Sequence, residues 1–162
     1  MNKLFVDDLV ERLESVVDTV RVCKQSEVLD YIDDYDYEDG CNHFPMLCFE
    51  VSSDNDFDVD SSESKFLYDS AYNGTWIIGS EDDINFIMCL KSNGNSLYID
   101  AFEVNIDMRG QGIAGDVLSV LESVAENYFK NILITPFDSD AISFWEHMEF
   151  KEGNNGYWVK EL

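Results

Sequence analysis

Proline, histidine and basic residues are scarce: the 162 residues include two Pro, two His and ten Lys plus Arg. So few prolines leave no proline-rich linker and no collagen-like repeat. The four cysteines (Cys23, Cys41, Cys48 and Cys89) form no C-x-x-C pair. Cys41, His43 and Cys48 match no zinc spacing, so the cysteines read as reduced, packed thiols. No apolar run approaches the ~18–20 residues of a membrane span. The opening stretch LFVDDLVERLESVV carries acids where a secretion signal would be uninterrupted and apolar. A soluble, cytoplasmic protein is expected.

Acidic residues fill the gap. There are 34 Asp and Glu, and the net charge is −24. Such a surface excludes binding through nucleic-acid phosphates or anionic lipid headgroups. It suits a cationic partner, or a protein that imitates a polyanion. Apolar residues at 45% and aromatics at 14% supply a core and exclude wholesale disorder. Residues 1–100 hold 23 of the acids and six of the bases, yet no repeat or linker divides the chain. One domain over 1–162 is expected, with an acidic N-terminal portion, 1–70.

Phe5, Leu9, Leu13, Val16, Val17 and Val20 recur at helical spacing and predict an opening amphipathic helix. Ser26 is a plausible N-cap for a second helix reaching about Tyr35. The tyrosine-laced acidic run Tyr31–Asp39 reads either as a site for a cation or as a solvated helix end and loop. Pro45–Val51 looks like a short strand, and Ser52–Ser64 like a mobile acidic loop. Thr75–Ile78, Asn85–Leu90 and Leu97–Val104 form an antiparallel meander, with a turn at Lys91–Ser96. A helix over Ile113–Phe129, a strand at Ile132–Thr135, a helix over Ala141–Met148 and a strand at Tyr157–Val159 complete the order. The fold class is mixed α/β.

Arg109-Gly-Gln-Gly-Ile-Ala-Gly115 lies between a strand and a long helix. Glycines there let backbone N–H groups approach an anion, and the helix N-terminus adds positive potential. Gly110-x-Gly112-x-x-Gly115 also spells the dinucleotide fingerprint. The context does not fit it: Asn105–Arg109 separate the first glycine from the strand, and too little chain follows for a Rossmann sheet.

With its flanks, the segment resembles the GNAT N-acetyltransferase superfamily. Arg109, Gly112 and Ala114 match that family's Arg/Gln-x-x-Gly-x-Gly/Ala loop, entered through a strand and connection similar to Ile99–Met108. About thirty residues on, Ala141-Ile-Ser-Phe-Trp-Glu-His-Met-Glu-Phe150 looks like the second signature, Ala-x-x-Phe-Tyr-Glu-x-x-Gly-Phe. The resemblance covers 75–162; the earlier portion is compatible in its element order.

The resemblance implies a central, mostly antiparallel sheet flanked by helices, with acetyl-CoA as cosubstrate. The coenzyme would lie where the strand ending at Val104 parts from the strand after Phe129. Backbone near Phe102, Glu103 and Val104 would meet pantetheine, and a strand N–H near Phe102 would polarise the acetyl carbonyl. Gly110, Gln111, Gly112, Ile113, Ala114 and Gly115 would cradle the pyrophosphate, with Arg109 adding charge. Attack by a neutral amine needs a base, and Asp100 and Glu103 are the nearest acids. Three residues apart on a strand, they should point to opposite faces, and Glu103 is preferred.

Three positions depart from the family pattern: Trp145 stands for its tyrosine, Glu149 for its glycine and Asp138 for its asparagine. An indole N–H cannot serve as the acid, leaving Tyr128, Tyr157 or water. Two functions are therefore expected. One is an N-acetyltransferase for a cationic amine: a polyamine, an aminoglycoside-like molecule, or a lysine or N-terminus of a basic protein. The other is a weakly active or inactive acidic protein that occupies a basic protein surface as a nucleic-acid mimic or inhibitor. The chain's size allows a monomer or a homodimer.

Overall fold

Phe5, Leu9 and Leu13 fall on one stripe of α1 (Lys3–Leu13) and are wholly buried. Each such side chain contributes roughly 1.5–3 kcal/mol of burial. Asn2 caps the helix by accepting the Leu4 N–H at 3.0 Å. The computed structural model describes residues 1–25, 27–28, 44, 47, 74–136 and 138–162.

The expected stripe through Val20 is split. Ser15 and Val16 donate back to the carbonyls of Arg12 and Leu13, which closes α1. Val20 instead belongs to a strand, β1 (Thr19–Cys23), whose β-branched residues suit a sheet better than a helix. The meander follows as β2 (Thr75–Ser80), β3 (Ile84–Asn93) and β4 (Ser96–Val104). Asn93 pairs with Ser96 across a two-residue turn, so the strands run further into 91–96 than expected. Gly94 takes the positive φ of +59° that this turn requires.

Then come α2 (Ile113–Ala125), β5 (Asn131–Ile134), α3 (Ser139–His147), β6 (Lys151–Glu152) and β7 (Trp158–Glu161). The helix α2 stops short of Phe129 because Tyr128 and Phe129 both donate to the Ala125 carbonyl. That turn sets the Phe129 ring edge-on to Phe5 at 5.0 Å. The two-residue β6 carried no legible signal in the sequence.

One seven-stranded sheet results, in the order β1-β2-β3-β4-β5-β7-β6, parallel only between β4 and β5. Ile77, Phe86, Met88, Leu90, Leu97 and Ile99 pack on the face covered by α1, α2 and Trp145 of α3. Ile78, Ile87, Cys89 and Ala101 pack on the other, against Val28, Phe44 and Leu47. This is the mixed architecture expected from the sequence.

Gln25, Glu27 and Val28 are helical, so a helix begins before the expected cap Ser26: Glu27 and Val28 donate to the Lys24 carbonyl, and Glu27 Oε2 accepts the Lys24 N–H at 2.7 Å. Leu47 is helical too, against the strand expected over 45–51; a short apolar run suits either state. The rest of that strand, the tyrosine-laced run 31–39, the loop 52–64, Cys41, His43 and Cys48 lie outside the described residues. Among the described residues no helix is long and apolar enough to cross a membrane.

Candidate functional site

The site is built on a strand that loses one neighbour. β4 pairs with β5 over Ser96–Ile99, opposite Asn131–Ile134. The next two rungs on the β5 side would fall to Thr135 and Pro136, and proline has no N–H to offer. On the other side, the consecutive Cys89 and Leu90 of β3 face Ala101 and Ile99, leaving Asp100 surplus. That β-bulge bends β4 where its pairing with β5 stops. Asp100–Val104 therefore run on with β3 alone as their strand partner among the described residues. The strand ending at Val104 does part from the strand after Phe129, as the family resemblance implied.

The bulge also corrects an expectation. Asp100 and Glu103, three apart, were expected on opposite faces. The surplus residue shifts the alternation by one, so Asp100 and Ala101 share a face and Glu103 joins them. Asp100 ion-pairs with Lys91, while Glu103 stands opposite Ile87. Lys91, Cys89 and Ile87 alternate along that same face of β3. Burial, helped by the nearby Asp100 and partly offset by Lys91, pushes the Cys89 thiol up to about 12. Cys89 is thus an inert core thiol, as read from sequence.

Glu103 is buried and held at both oxygens. Its Oε1 accepts from Arg109 Nη2 at 2.6 Å, and its Oε2 accepts the Leu47 N–H at 2.8 Å. Arg109 also donates from Nε to the Val104 carbonyl at 3.1 Å. The expected base and the expected coenzyme arginine therefore form one ion pair. The guanidinium lies back along the end of β4 and stays 44% exposed.

Asn105 steers the chain from β4 into the loop, a role the sequence reading missed. Its backbone N–H donates to the Asn85 carbonyl, and its side chain bonds to the Ile84 carbonyl and the Asp107 N–H. An Asn two residues before an Asp is a legible capping signal for the short 3-10 turn Ile106–Met108. Lys91, by contrast, gave no signal; only the sheet register brings it to Asp100.

Past Arg109, Gly110 and Gly112 take φ of +78° and +90°, backbone that L side chains rarely adopt. Gly112 caps α2 without a side-chain bond, and the first bond of the helix runs from Asp116 N to Gly112 O at 3.0 Å. The amides of Ile113, Ala114 and Gly115 precede that bond, at the positive end of the helix dipole. A Cβ at Gly110 or Gly115 would meet nothing within 4 Å. Gln111 lies exposed, its amide 3.4 Å from the Asp107 carbonyl.

Phe102 joins an aromatic row between β4 and α3. Its ring lies 6.3 Å from Phe86 and 6.5 Å from Trp145, which in turn packs on Phe144 and Phe150. Trp145 is thereby a buried packing residue. Val104 is buried, and Ile113 and Ala114 pack partly against the same core.

The substitute acids separate. Tyr128 lies past the far end of α2 and donates to Asp8, which raises its pKa. A 13-residue helix is about 20 Å long, so Tyr128 is remote from the strand opening. Tyr157 stands edge-on to Tyr98 at 5.7 Å, on the face that carries Asp100. Asp138 caps α3 by accepting the Ala141 N–H at 2.8 Å, which an asparagine would do equally well.

No protein-family model matches the sequence. No curated protein matches it either. Solved structures do match. An acetyltransferase of the GNAT family from Staphylococcus aureus Mu50 aligns over 89% of this chain and 98% of its own, at 16% identity and a TM-score of 0.58. A protein from Exiguobacterium sp. 255-15, assigned as an acetyltransferase, aligns over 88% and 92%, at 11% identity and a TM-score of 0.50. A nourseothricin acetyltransferase aligns over 55% of this chain at 15% identity and a TM-score of 0.46; the match spans 65% of that enzyme, just under two thirds.

Proposed function

We propose that this chain, whose fold is that of the GNAT acetyltransferases, transfers acetyl from acetyl-CoA to a primary amine of a cationic acceptor. One observation carries the reading. The glycine loop and the bare N-terminus of α2 follow, after the short turn Ile106–Met108, on the stretch of β4 that has parted from β5.

The residues present fit the coenzyme. Gly110 and Gly112 keep the strained loop free of side chains, and a Cβ at Gly115 would enter open space. The amides of Ile113, Ala114 and Gly115 receive the pyrophosphate, and the edge of β4 at Phe102–Val104 receives pantetheine. Bound acetyl-CoA supplies an activated acetyl thioester. A strand N–H near Phe102 polarises the acetyl carbonyl. Glu103 takes the proton that the amine must lose, with Asp100 as a second carboxylate on the same face. Tyr157 or water then protonates the departing thiolate.

The charge of −24 supports a cationic acceptor: a polyamine, an aminoglycoside-like amine or a basic protein. A second reading, an acidic protein docked on a basic protein surface, is favoured by Trp145, which sits in the core where the family places its acid.

Calorimetric titration with acetyl-CoA tests the first reading, using Gly115→Glu as the control. The new carboxylate would occupy the cradle while leaving the helix intact. One-to-one binding abolished by that substitution, with CoA released when amines are added, is the expected result. An absence of binding in the unaltered protein would sink it and turn attention to basic protein partners.

A further inference from the structure

The ion pair of Glu103 and Arg109 joins two parts of the proposed site that should act separately. Arg109 opens the glycine loop, yet its guanidinium is bound to Glu103 Oε1 at 2.6 Å and to the Val104 carbonyl at 3.1 Å. Both acceptors belong to the end of β4. Glu103 keeps a second bond, from the Leu47 N–H, that does not depend on Arg109.

The two partners differ in freedom. The Glu103 side chain is 4% exposed and that of Arg109 is 44% exposed. The carboxylate is fixed by the strand, whereas the arginine sits on a long side chain at the loop's edge. One glycine separates it from Gln111, and two residues lie between it and the cap of α2. An anion held at the α2 N-terminus therefore competes with Glu103 for the same guanidinium.

We infer that the Glu103–Arg109 pair is an exchange latch: a coenzyme diphosphate draws Arg109 off Glu103, removing that cation from the carboxylate only once the coenzyme is in place. This inference rests on the acetyl-CoA reading and adds an order of events to it. Without coenzyme, the Glu103 carboxylate is ion-paired with Arg109 through Oε1. With coenzyme, the guanidinium pairs with phosphate, and Glu103, still bonded to the Leu47 N–H at Oε2, no longer shares its charge with Arg109 when an amine arrives. Glu103 thus restrains Arg109 in the free protein, a positioning role distinct from its work as base.

The test is a double-substitution cycle with coenzyme A as the probe, read by calorimetry and needing no turnover. Glu103→Gln keeps the shape and the acceptor for Leu47 but removes the charge that restrains Arg109. It should tighten coenzyme A binding about tenfold, the scale of one charge-assisted hydrogen bond gained. Arg109→Gln should weaken binding, and in that background Glu103→Gln should have no effect. A second measurement uses the unaltered protein. The Arg109 Nε–H resonance, identified by its loss in Arg109→Gln, should move when coenzyme A binds, because the bond to Val104 breaks.

The outcomes separate the two ideas. Binding that Glu103→Gln leaves unchanged or weakens, or a gain that persists without Arg109, overturns the latch but spares the coenzyme reading. So does an Arg109 resonance that stays put on binding, which also decides the matter if Glu103→Gln fails to fold. No binding by any variant removes the coenzyme reading and the latch with it. Binding by Glu103→Gln but not by the unaltered protein would be the strongest support for the latch.

Discussion

Trp145 and Phe150 close the end of α3 onto each other. The Phe150 N–H donates to the Trp145 carbonyl at 3.0 Å, and the two rings meet edge to face at 5.0 Å. Glu149 between them donates to the Glu146 carbonyl and takes a φ of +67°. This is a Schellman end, and its left-handed position is the one where glycine is preferred.

Glu149→Gly should therefore stabilise the protein. Relief of the left-handed strain contributes about 1 kcal/mol, partly offset by the greater freedom of glycine in the unfolded chain. The substitution also gives up an exposed 3.8 Å contact with Lys160. A net rise of about 1–2 °C in midpoint is expected in a thermal melt. A fall would mean that the contact with Lys160 outweighs the strain.

The glycines of the loop should divide by conformation. Gly112→Ala forces a side chain into a φ of +90° and should cost roughly 1–2 kcal/mol. Gly115→Ala sits in open space within α2 and should gain about 0.5–1 kcal/mol from helix propensity. Urea unfolding of the two variants side by side checks both signs.

Lys160 ties β7 to α2 and α3 through Glu122 Oε2 at 2.8 Å and the Met148 carbonyl at 2.9 Å. Both side chains are 17% exposed, and Glu122 Oε1 is buried without a hydrogen-bond partner among the described residues. Lys160→Met leaves a mostly buried charge unpaired and should cost about 2–3 kcal/mol. Adding Glu122→Leu should recover most of that loss, because an apolar pair suits the site. Urea midpoints of the single and double variants report the recovery.

Alkaline stability should depend on Cys89. Its folded pKa, raised from 9.0 to about 12, lies above the unfolded value. The thiol's contribution is complete below pH 9 and is lost as pH rises towards 12, since the unfolded chain gives up its proton first. The slope is at most about 1.4 kcal/mol per pH unit. Cys89→Ala should flatten the fall in stability between pH 9 and 11, and chemical denaturation at several pH values would reveal it.

On the proposed activity, Glu103→Gln should lower kcat by about a hundredfold or more, the usual worth of a general base. Asp100→Asn should have a smaller effect, because Asp100 is paired with Lys91 on the surface side of the bulge. Steady-state CoA release with a saturating amine distinguishes them. Equal losses would assign the proton to both carboxylates.

The sequence made the periodic elements legible, since Phe5, Leu9 and Leu13, and likewise Val117, Leu118 and Leu121, meet one core. It also located the loop, because glycines at fixed spacing carry a backbone requirement, while the parting of strands came only from the family resemblance. The lateral facts escaped it. Whether Val20 continues a helix or joins a strand depends on the free edge of β2, a tertiary matter. The shared face of Asp100 and Glu103 depends on a bulge set by the register of β3 against β4, and nothing local in Ile99-Asp-Ala-Phe-Glu103 announces it. The pairing of Glu103 with Arg109 joins residues six apart around a turn whose course is set by Asn105.

The surplus residue at Asp100 acts as a frameshift in the sheet. Before it, the odd-numbered Leu97 and Ile99 look towards α2; after it, the even-numbered Phe102 and Val104 do. Removing Asp100 would leave every later side chain on its present face and in its present pairing with β3, and removing Ala101 would do the same with Asp100 in its place opposite Cys89, whereas removing Phe102 would put a side chain of the strand on the wrong face. The fold can therefore do without one residue of this pair more easily than without Phe102. What the surplus residue maintains is a strand that bends away from β5, so the count of residues, apart from their chemistry, is part of how the opening is kept.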